Sequence, residues 1–401
     1  RDYTTTMTIP GLHVAFIHDF LGLGGAETVS RDTGELFVSL GVYSHYYCME
    51  FRANEWSLSD PSMSCVEYFP NKECLWSEEN VDYLLSEAKE HQIQVFIIPI
   101  AHVCPYWDKL KAADVKVIYW SHGAPFWEEV LQHPRLKVAA SHSLKKKLEW
   151  VLFRSWKYSL FDLYRKRIEH KYREIIEAVD RFITLCPEYS EEIVERLRLS
   201  EDLKRKFIAL PNTLPIQPTP QLAKAKRVVF MGRLCPESKV VSRLLRIWAL
   251  IERDLPDWSL DIYGKGPEEP ELRRLMQEFR LERAELKGYC SEPNEVYKEA
   301  AIVVLTSTLE GIPLTLLEAQ NNGCVPMAFD SCAGIRYVIG KDKEYGRLAP
   351  PYDLKLYAER LKELCTDDAL RARLQEACLR KRLDYAPEQN AERWRTILEN
   401  L

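Results

Sequence analysis

T-S-T-L-E-G-I-P-L-T-L-L-E-A-Q, residues Thr306 to Gln320, follows directly on the apolar run Ala301-Ile302-Val303-Val304-Leu305. A continuous β-branched run of this kind reads as a strand buried on both faces of a parallel sheet. Gly311 and Pro313 end it, and Pro313 stands where the first turn of a helix tolerates proline. Leu314, Leu316, Leu317 and Ala319 then open a run of good helix formers. The spacing predicts a strand, a tight turn and a helix. The free N–H groups of that helix, near Ile312, Pro313, Leu314 and Thr315, make an anion site. Glu310 precedes the helix start and Glu318 lies further along. If all eight steps between them were helical, they would stand about 12 Å apart on nearly the same face. Two acids bracketing an anion site can hold hydroxyl-bearing groups on either side of a phosphate. A capping Glu310 with an unrelated surface Glu318 gives the same spacing, so the pattern alone leaves both readings open.

The chain has 401 residues, enough for two domains with a core each. Its 46% apolar and 29% charged content is that of an ordinary globular protein, and a net charge of -5 gives no case for nucleic-acid binding. Eleven scattered cysteines lack metal-ligand pairing and disulfide-scaffold density, so they read as reduced cytoplasmic thiols. Cys290, Cys324 and Cys332 are expected among the buried ones. No apolar run reaches the ~20 residues of a membrane span. Met7 is expected to be the natural start.

The first half opens with a strand at Leu12 to Ile17, a glycine-rich turn (Gly22-Leu23-Gly24-Gly25-Ala26-Glu27) and a helix to Leu40, a Rossmann-like unit. Glycines without Cβ atoms let a ligand approach the backbone. The spacing does not give a clean G-x-G-x-x-G, which weakens a dehydrogenase reading. Strands are expected at 95–100, 115–120 and 178–185. The strand ending at Trp120 runs into Ser121-His122-Gly123, which places His122 on the ligand edge of an open sheet, although a core or loop histidine is the plain alternative. Residues 143–173 carry ten Lys and Arg interleaved with Trp150, Phe153, Trp156, Tyr158, Phe161 and Tyr164. A basic helix with one aromatic face can lie on an anionic membrane surface. A long amphipathic helix packing on its own domain explains the segment equally.

Pro215, Pro218 and Pro220 mark a linker, and the domain boundary is expected near Pro220. The α/β rhythm restarts at Arg227 to Met231 and ends in Gly232-Arg233-Leu234, with Lys239 six residues after Arg233. Two cations at a strand-to-helix junction can neutralise a diphosphate. A strand to Tyr263 leads into Gly264-Lys265-Gly266, and another into Gly288-Tyr289-Cys290.

With these words in order, E-G-I-P-L-T-L-L-E resembles the E-x7-E signature of retaining glycosyltransferases of family 4. Arg233-Leu234 with Lys239 resembles that family's G-R-L-x-x-x-K-G element, although Val240 stands in place of the final glycine. G-G-A-E, His122 and Pro211-Asn212 are similar to its N-terminal landmarks, more loosely than the match from Val228 to Gly334.

The resemblance implies a GT-B fold: two facing Rossmann-like domains, 7–220 for the acceptor and 221–385 for the nucleotide sugar, with a last helix, 386–401, returning to the first. It implies a hexose passed from a nucleotide diphosphate sugar, UDP favoured over GDP, to a hydroxyl of a glycan or lipid-linked acceptor with retention. Glu310 would meet the sugar and Glu318 the ribose. Arg233, Lys239 and the helix N-terminus at Gly311 to Thr315 would hold the diphosphate. Gly232, Gly264, Gly266, Tyr289 and Cys290 would line the donor. His122, Gly24 and Gly25 would face sugar, phosphate or acceptor. No metal is expected, since no Asp-x-Asp stands at a strand end. The protein is expected in the cytoplasm, peripheral to the membrane if 143–173 binds it. Another GT-B enzyme, an epimerase or phosphorylase, or a non-catalytic nucleotide-sugar-binding scaffold would share much of this pattern.

Overall fold

The structure, a computed structural model, describes residues 9, 11–22, 24–52, 57–58, 60–99, 103–131, 148, 152, 162–218 and 220–401. Most of the basic and aromatic segment read above, 143–147, 149–151 and 153–161, lies outside the described residues. The chain forms two compact units, Arg1–Thr213 with Pro387–Leu401, and Leu214–Ala386. The division falls ahead of the expected boundary at Pro220, because Leu214 already donates its N–H to the Tyr385 carbonyl, at 2.8 Å, inside the second unit.

In the first unit β1 (His13–Ile17), β2 (Phe20–Leu21), α1 (Gly25–Ser39), β3 (Tyr43–Cys48), β4 (Glu50–Phe51) and β5 (Ser64–Tyr68) come first. They are followed by α2 (Glu78–Glu90), β6 (Val95–Ile98), α3 (Trp107–Ala112), β7 (Lys116–Trp120) and α4 (Trp127–Leu131). Then come α5 (Leu163–Ala178), β8 (Arg181–Thr184), α6 (Pro187–Leu197), α7 (Glu201–Lys204) and β9 (Phe207–Ala209). Seven strands pair in parallel in the order β5-β3-β1-β6-β7-β8-β9. Val14 to Ile17 and Val95 to Ile98 are buried, as apolar runs in central parallel strands must be. The chain order reverses between β1 and β6, so the ligand edge lies outside the carboxyl ends of those strands.

The second unit runs β10 (Ala225–Met231), α8 (Ser242–Ile251), β11 (Ser259–Tyr263), α9 (Glu269–Phe279), β12 (Ala284–Gly288), α10 (Pro293–Glu299) and β13 (Ala300–Leu305). It continues with α11 (Leu314–Asn321), β14 (Val325–Phe329), α12 (Ala333–Ile339), β15 (Arg347–Ala349), α13 (Leu354–Thr366) and α14 (Asp368–Lys381). Its sheet is parallel throughout, in the order β12-β11-β10-β13-β14-β15. All six residues of β13 are buried. The order reverses between β10 and β13, and the stretch 306–320 leaves the carboxyl end of β13 at that point.

The last helix, α15 (Pro387–Glu399), belongs to the first unit. Its Trp394 is 1% exposed and meets the Phe37 and Trp120 rings edge-on, each at 5.1 Å. Burying an aromatic of this size contributes about 2–3 kcal/mol. Asn390 ties the helix start down by donating to the Pro211 carbonyl and the Thr213 hydroxyl.

Candidate functional site

The junction after β13 differs from the simple strand-turn-helix spacing. Pro313 is the N-cap of α11, with φ -70 and ψ 108, rather than a residue of its first turn. Glu310 therefore sits in an irregular loop with Gly311 and Ile312, and the 12 Å helical separation from Glu318 does not apply. Proline brings no side-chain acceptor, and α11 has no side-chain cap. The Thr315 hydroxyl is buried without a hydrogen-bond partner. Uncapped N–H groups and an orphaned hydroxyl at one helix start are what an anion-binding turn offers.

The other two helices that follow an opening strand are arranged differently. The Glu268 carboxylate, 3% exposed, accepts the Val241 and Ser242 N–H groups at 2.9 Å each, so α8 carries a built-in anion. At α1 the Glu27 carboxylate folds over Gly24, lying 1.9 Å from where a Cβ would stand. Burial raises the pKa of Glu27.

Lys239 reaches this junction from the β10–α8 loop: its Nζ lies 2.5 Å from Glu310 Oε1, with the two side chains 20% and 11% exposed. The next residue, Val240, has φ +47. A β-branched residue in the left-handed region is a strained one, and this is the position where the resembling family has glycine. The Thr306 hydroxyl holds the strained turn by donating to the Lys239 and Val240 carbonyls at 3.2 and 3.1 Å. Thr308 N–H bonds the Ser238 carbonyl at 2.7 Å. Arg243 adds a third tie: its guanidinium donates to the Thr306 carbonyl and Thr308 hydroxyl, both at 3.1 Å, and lies 4.2 Å over the Tyr352 ring. Sequence reading missed Arg243, Tyr352 and Glu268, since nothing in their local spacing marks them.

Arg233 is exposed at the end of β10. Gly264 and Gly266 fit against the same loop, because a Cβ on them would stand 1.8 Å from the Gly232 carbonyl oxygen and 2.1 Å from that of Leu234. The Gly288 carbonyl accepts the Gly264 N–H at 2.7 Å, which brings the 288–290 loop to the same edge. Tyr289 is 58% exposed there. Cys290 is half-buried, not buried as expected, since it lies two residues beyond the end of an edge strand. Glu318 lies near the buried Tyr297, whose hydroxyl is pushed well up by burial and then by the Glu318 carboxylate. Gly232, Arg233, Lys239, Gly264, Gly266, Tyr289, Glu310 and Thr315 thus all lie on the carboxyl edge of one sheet.

In the first unit, Gly24 and Gly25 start α1. His122 follows β7, its ring 4.4 Å from that of Trp120, and both of its nitrogens are buried without a partner. Burial, then the nearby His18, lowers its pKa to about 3. His18, at the end of β1, is fully buried and lowered by burial to about 4. Its Nε2 meets the Ser30 hydroxyl at 3.0 Å, while Nδ1 has no partner. His18 was not singled out as a site residue from sequence, although its place after a strand was the available signal. Two neutral imidazoles on a sheet's ligand edge suit hydroxyl groups rather than anions.

Residues 216–380 match the family profile described as Glycosyl transferases group 1. The amylovoran biosynthesis glycosyltransferase AmsD of Erwinia amylovora is 31% identical over 176 residues, 44% of this chain and 48% of that protein. The poly(glycerol-phosphate) alpha-glucosyltransferase of Bacillus subtilis is 22% identical over 245 residues, 59% of this chain and 35% of that protein. The chain thus spans half or less of these two curated relatives. Among solved structures, the lipopolysaccharide outer core galactosyltransferase WaaB superposes with TM-score 0.68 at 19% identity, covering 97% of this chain and 100% of that one. The pneumococcal O-GlcNAc transferase GtfA, in complex with UDP and GlcNAc, gives 0.71 at 13%, covering 97% and 99%. The fold is therefore GT-B, and residues 216–380 are similar to the glycosyl transferases of group 1.

Proposed function

We propose that the chain is a retaining hexosyltransferase that moves a sugar from a nucleoside diphosphate, UDP favoured, to a hydroxyl of a glycan or lipid-linked acceptor in polysaccharide or glycoconjugate assembly. The uncapped start of α11, with Lys239 and Glu310 at its mouth and Glu318 further along, carries this reading. The diphosphate sits on the α11 N–H groups and the Thr315 hydroxyl, with Arg233 and Lys239 neutralising its oxygens. Glu310 takes sugar hydroxyls and Glu318 the ribose. Gly232, Gly264, Gly266 and the 288–290 loop border the nucleoside. UDP is favoured because the structurally similar GtfA was solved with it.

In the reaction, the bond from the anomeric carbon to the diphosphate oxygen breaks and a bond from that carbon to the acceptor oxygen forms on the same face. The acceptor's proton passes to the departing phosphate oxygen. Charge on the leaving group is held by Arg233, Lys239 and the helix start, without a metal ion, and such preorganised stabilisation is the term usually worth most. His122, held neutral, orients sugar or acceptor hydroxyls. The acceptor's lipid, or the membrane bearing it, would be met by the basic and aromatic segment 143–173. Flotation with anionic against neutral vesicles checks that part. Among the described residues no helix is long and apolar enough to cross a membrane.

Thermal shifts against UDP, GDP, ADP and their common hexose conjugates test the reading. A rise of several degrees with one nucleotide series is expected, since a ligand at 100 times its Kd stabilises by about 2.7 kcal/mol. No shift with any of them would contradict it.

A further inference from the structure

Three of the chain's nine histidines gather in the first unit, at the edge where its strands begin. His13 opens β1, His45 lies in β3 and His91 caps the end of α2. His13 Nδ1 and His45 Nε2 are 2.9 Å apart, and the His45 and His91 rings are 5.6 Å apart. His91 Nε2 lies 3.5 Å from Glu87 Oε2, and the donor atoms of Glu87, Glu90 and His91 all fall within 4.8 Å of one another. None of these groups belongs to the carboxyl edge that carries His18 and His122.

We propose that His13 Nδ1, His45 Nε2, His91 and Glu87 form a binding site for a divalent transition-metal ion of the zinc, nickel or copper kind. Imidazole with one carboxylate is the donor set such ions take. Two nitrogens 2.9 Å apart, each about 2.0–2.1 Å from a metal, subtend about 90° at it, so this pair fits one ion with only a small opening. The His91 side chain is 43% exposed, so its ring can turn from Glu87 toward His45 and bring the two half-sites onto one ion. The same exposed side gives an entry path.

The surroundings match what a metal site needs. Ligating imidazoles are normally oriented through their second nitrogen, and His45 Nδ1 lies 3.2 Å from the Cys65 sulfur. Ligating carboxylates are likewise held, and the Tyr47 hydroxyl donates to Glu87 Oε2 at 3.3 Å. Tyr43 stacks on the His13 ring at 4.4 Å. In the free protein His13 Nδ1 and His45 Nε2 share a hydrogen bond, so an ion binding to both requires the donating ring to take its other tautomer, with its proton on the opposite nitrogen. Cys65, in contact with His45 through its sulfur, acts as an outer partner. The ion would tie β1, β3 and the end of α2 together, a structural role separate from sugar transfer.

The test is calorimetric titration of the untagged chain with zinc chloride alone, in a C74S background because Cys74 is an exposed thiol. One Zn2+ per chain is expected, with a rise in melting temperature that a chelator reverses. H91A, at an exposed helix end, keeps the fold by circular dichroism and weakens binding at least about tenfold. H13Q does the same, and C65A weakens it by about tenfold through the His45 ring. Absence of binding, or binding that H91A and H13Q leave unchanged, would overturn the proposal.

Discussion

Lys239 and Glu310 stand 71 positions apart in sequence and meet as an ion pair of 2.5 Å at the entrance to α11. Both are groups proposed for the donor, one for phosphate and one for sugar, so in the free protein each occupies the other. A diphosphate arriving at the helix start competes for the lysine and leaves the carboxylate to the sugar hydroxyls. K239A removes the charge proposed to face the leaving group and is expected to lower kcat about 10²–10³-fold. It also takes the ion-pair partner from a carboxylate that is only 11% exposed, at a cost of about 1–3 kcal/mol. The double variant K239M/E310Q should recover much of that stability and none of the activity. Denaturant titration beside turnover assays would show it, and stability losses that simply add would contradict the pairing.

Val240 at φ +47 holds strain that glycine would release. The strain is worth about 1–3 kcal/mol, and glycine's greater freedom when unfolded takes back about 0.5–1. V240G is therefore expected to stabilise the protein by about 1 kcal/mol. A loss of that size in urea denaturation would show that the valine side chain outweighs the backbone conformation.

Glu268 caps α8 with two backbone N–H bonds from a buried carboxylate. E268A should destabilise by about 1–3 kcal/mol and disturb the 239–243 turn that carries Lys239. Stability equal to wild type would mean that water replaces the cap without loss.

His18 and His122 make the first unit sensitive to acid. Their folded-state values, about 4 and about 3, lie below the ordinary 6.5. The unfolded chain therefore takes up protons first as the pH falls. Their contribution is complete above about pH 6.5 and is lost progressively toward pH 4, approaching about 1.4 kcal/mol per pH unit for each histidine. Denaturation midpoints at pH 7.5, 6 and 5 should fall accordingly, and H18Q should flatten the fall. A slope that H18Q leaves unchanged would remove His18 as its source.

Much of the second unit was legible because its motifs are local. Gly232-Arg233, Gly264-Lys265-Gly266 and the 306–320 stretch each sit where a short strand ends, and a parallel sheet puts all strand ends on one edge. What stayed hidden depends on contacts distant in sequence. Glu268 looks like a surface acid before a helix until its oxygens reach residues 26 and 27 positions earlier. Arg243 reads as one charge on an amphipathic helix, yet it clamps Thr306 and Thr308. Local propensity also misplaced Pro313, since a proline suits the first helical position as well as the N-cap it takes here. Val240 showed the opposite case: its departure from glycine was visible, while the strained turn it adopts was not.

Calorimetric titration of UDP into the wild-type chain and into E318A tests the donor site most directly. Glu318 lies in α11 itself, where its carboxylate is proposed to hold the ribose. Specific binding by wild type, weakened at least about tenfold in a folded E318A (about 1.4 kcal/mol), is the expected result. Equal affinity in the two proteins, or no binding by either, would contradict a nucleotide held along α11.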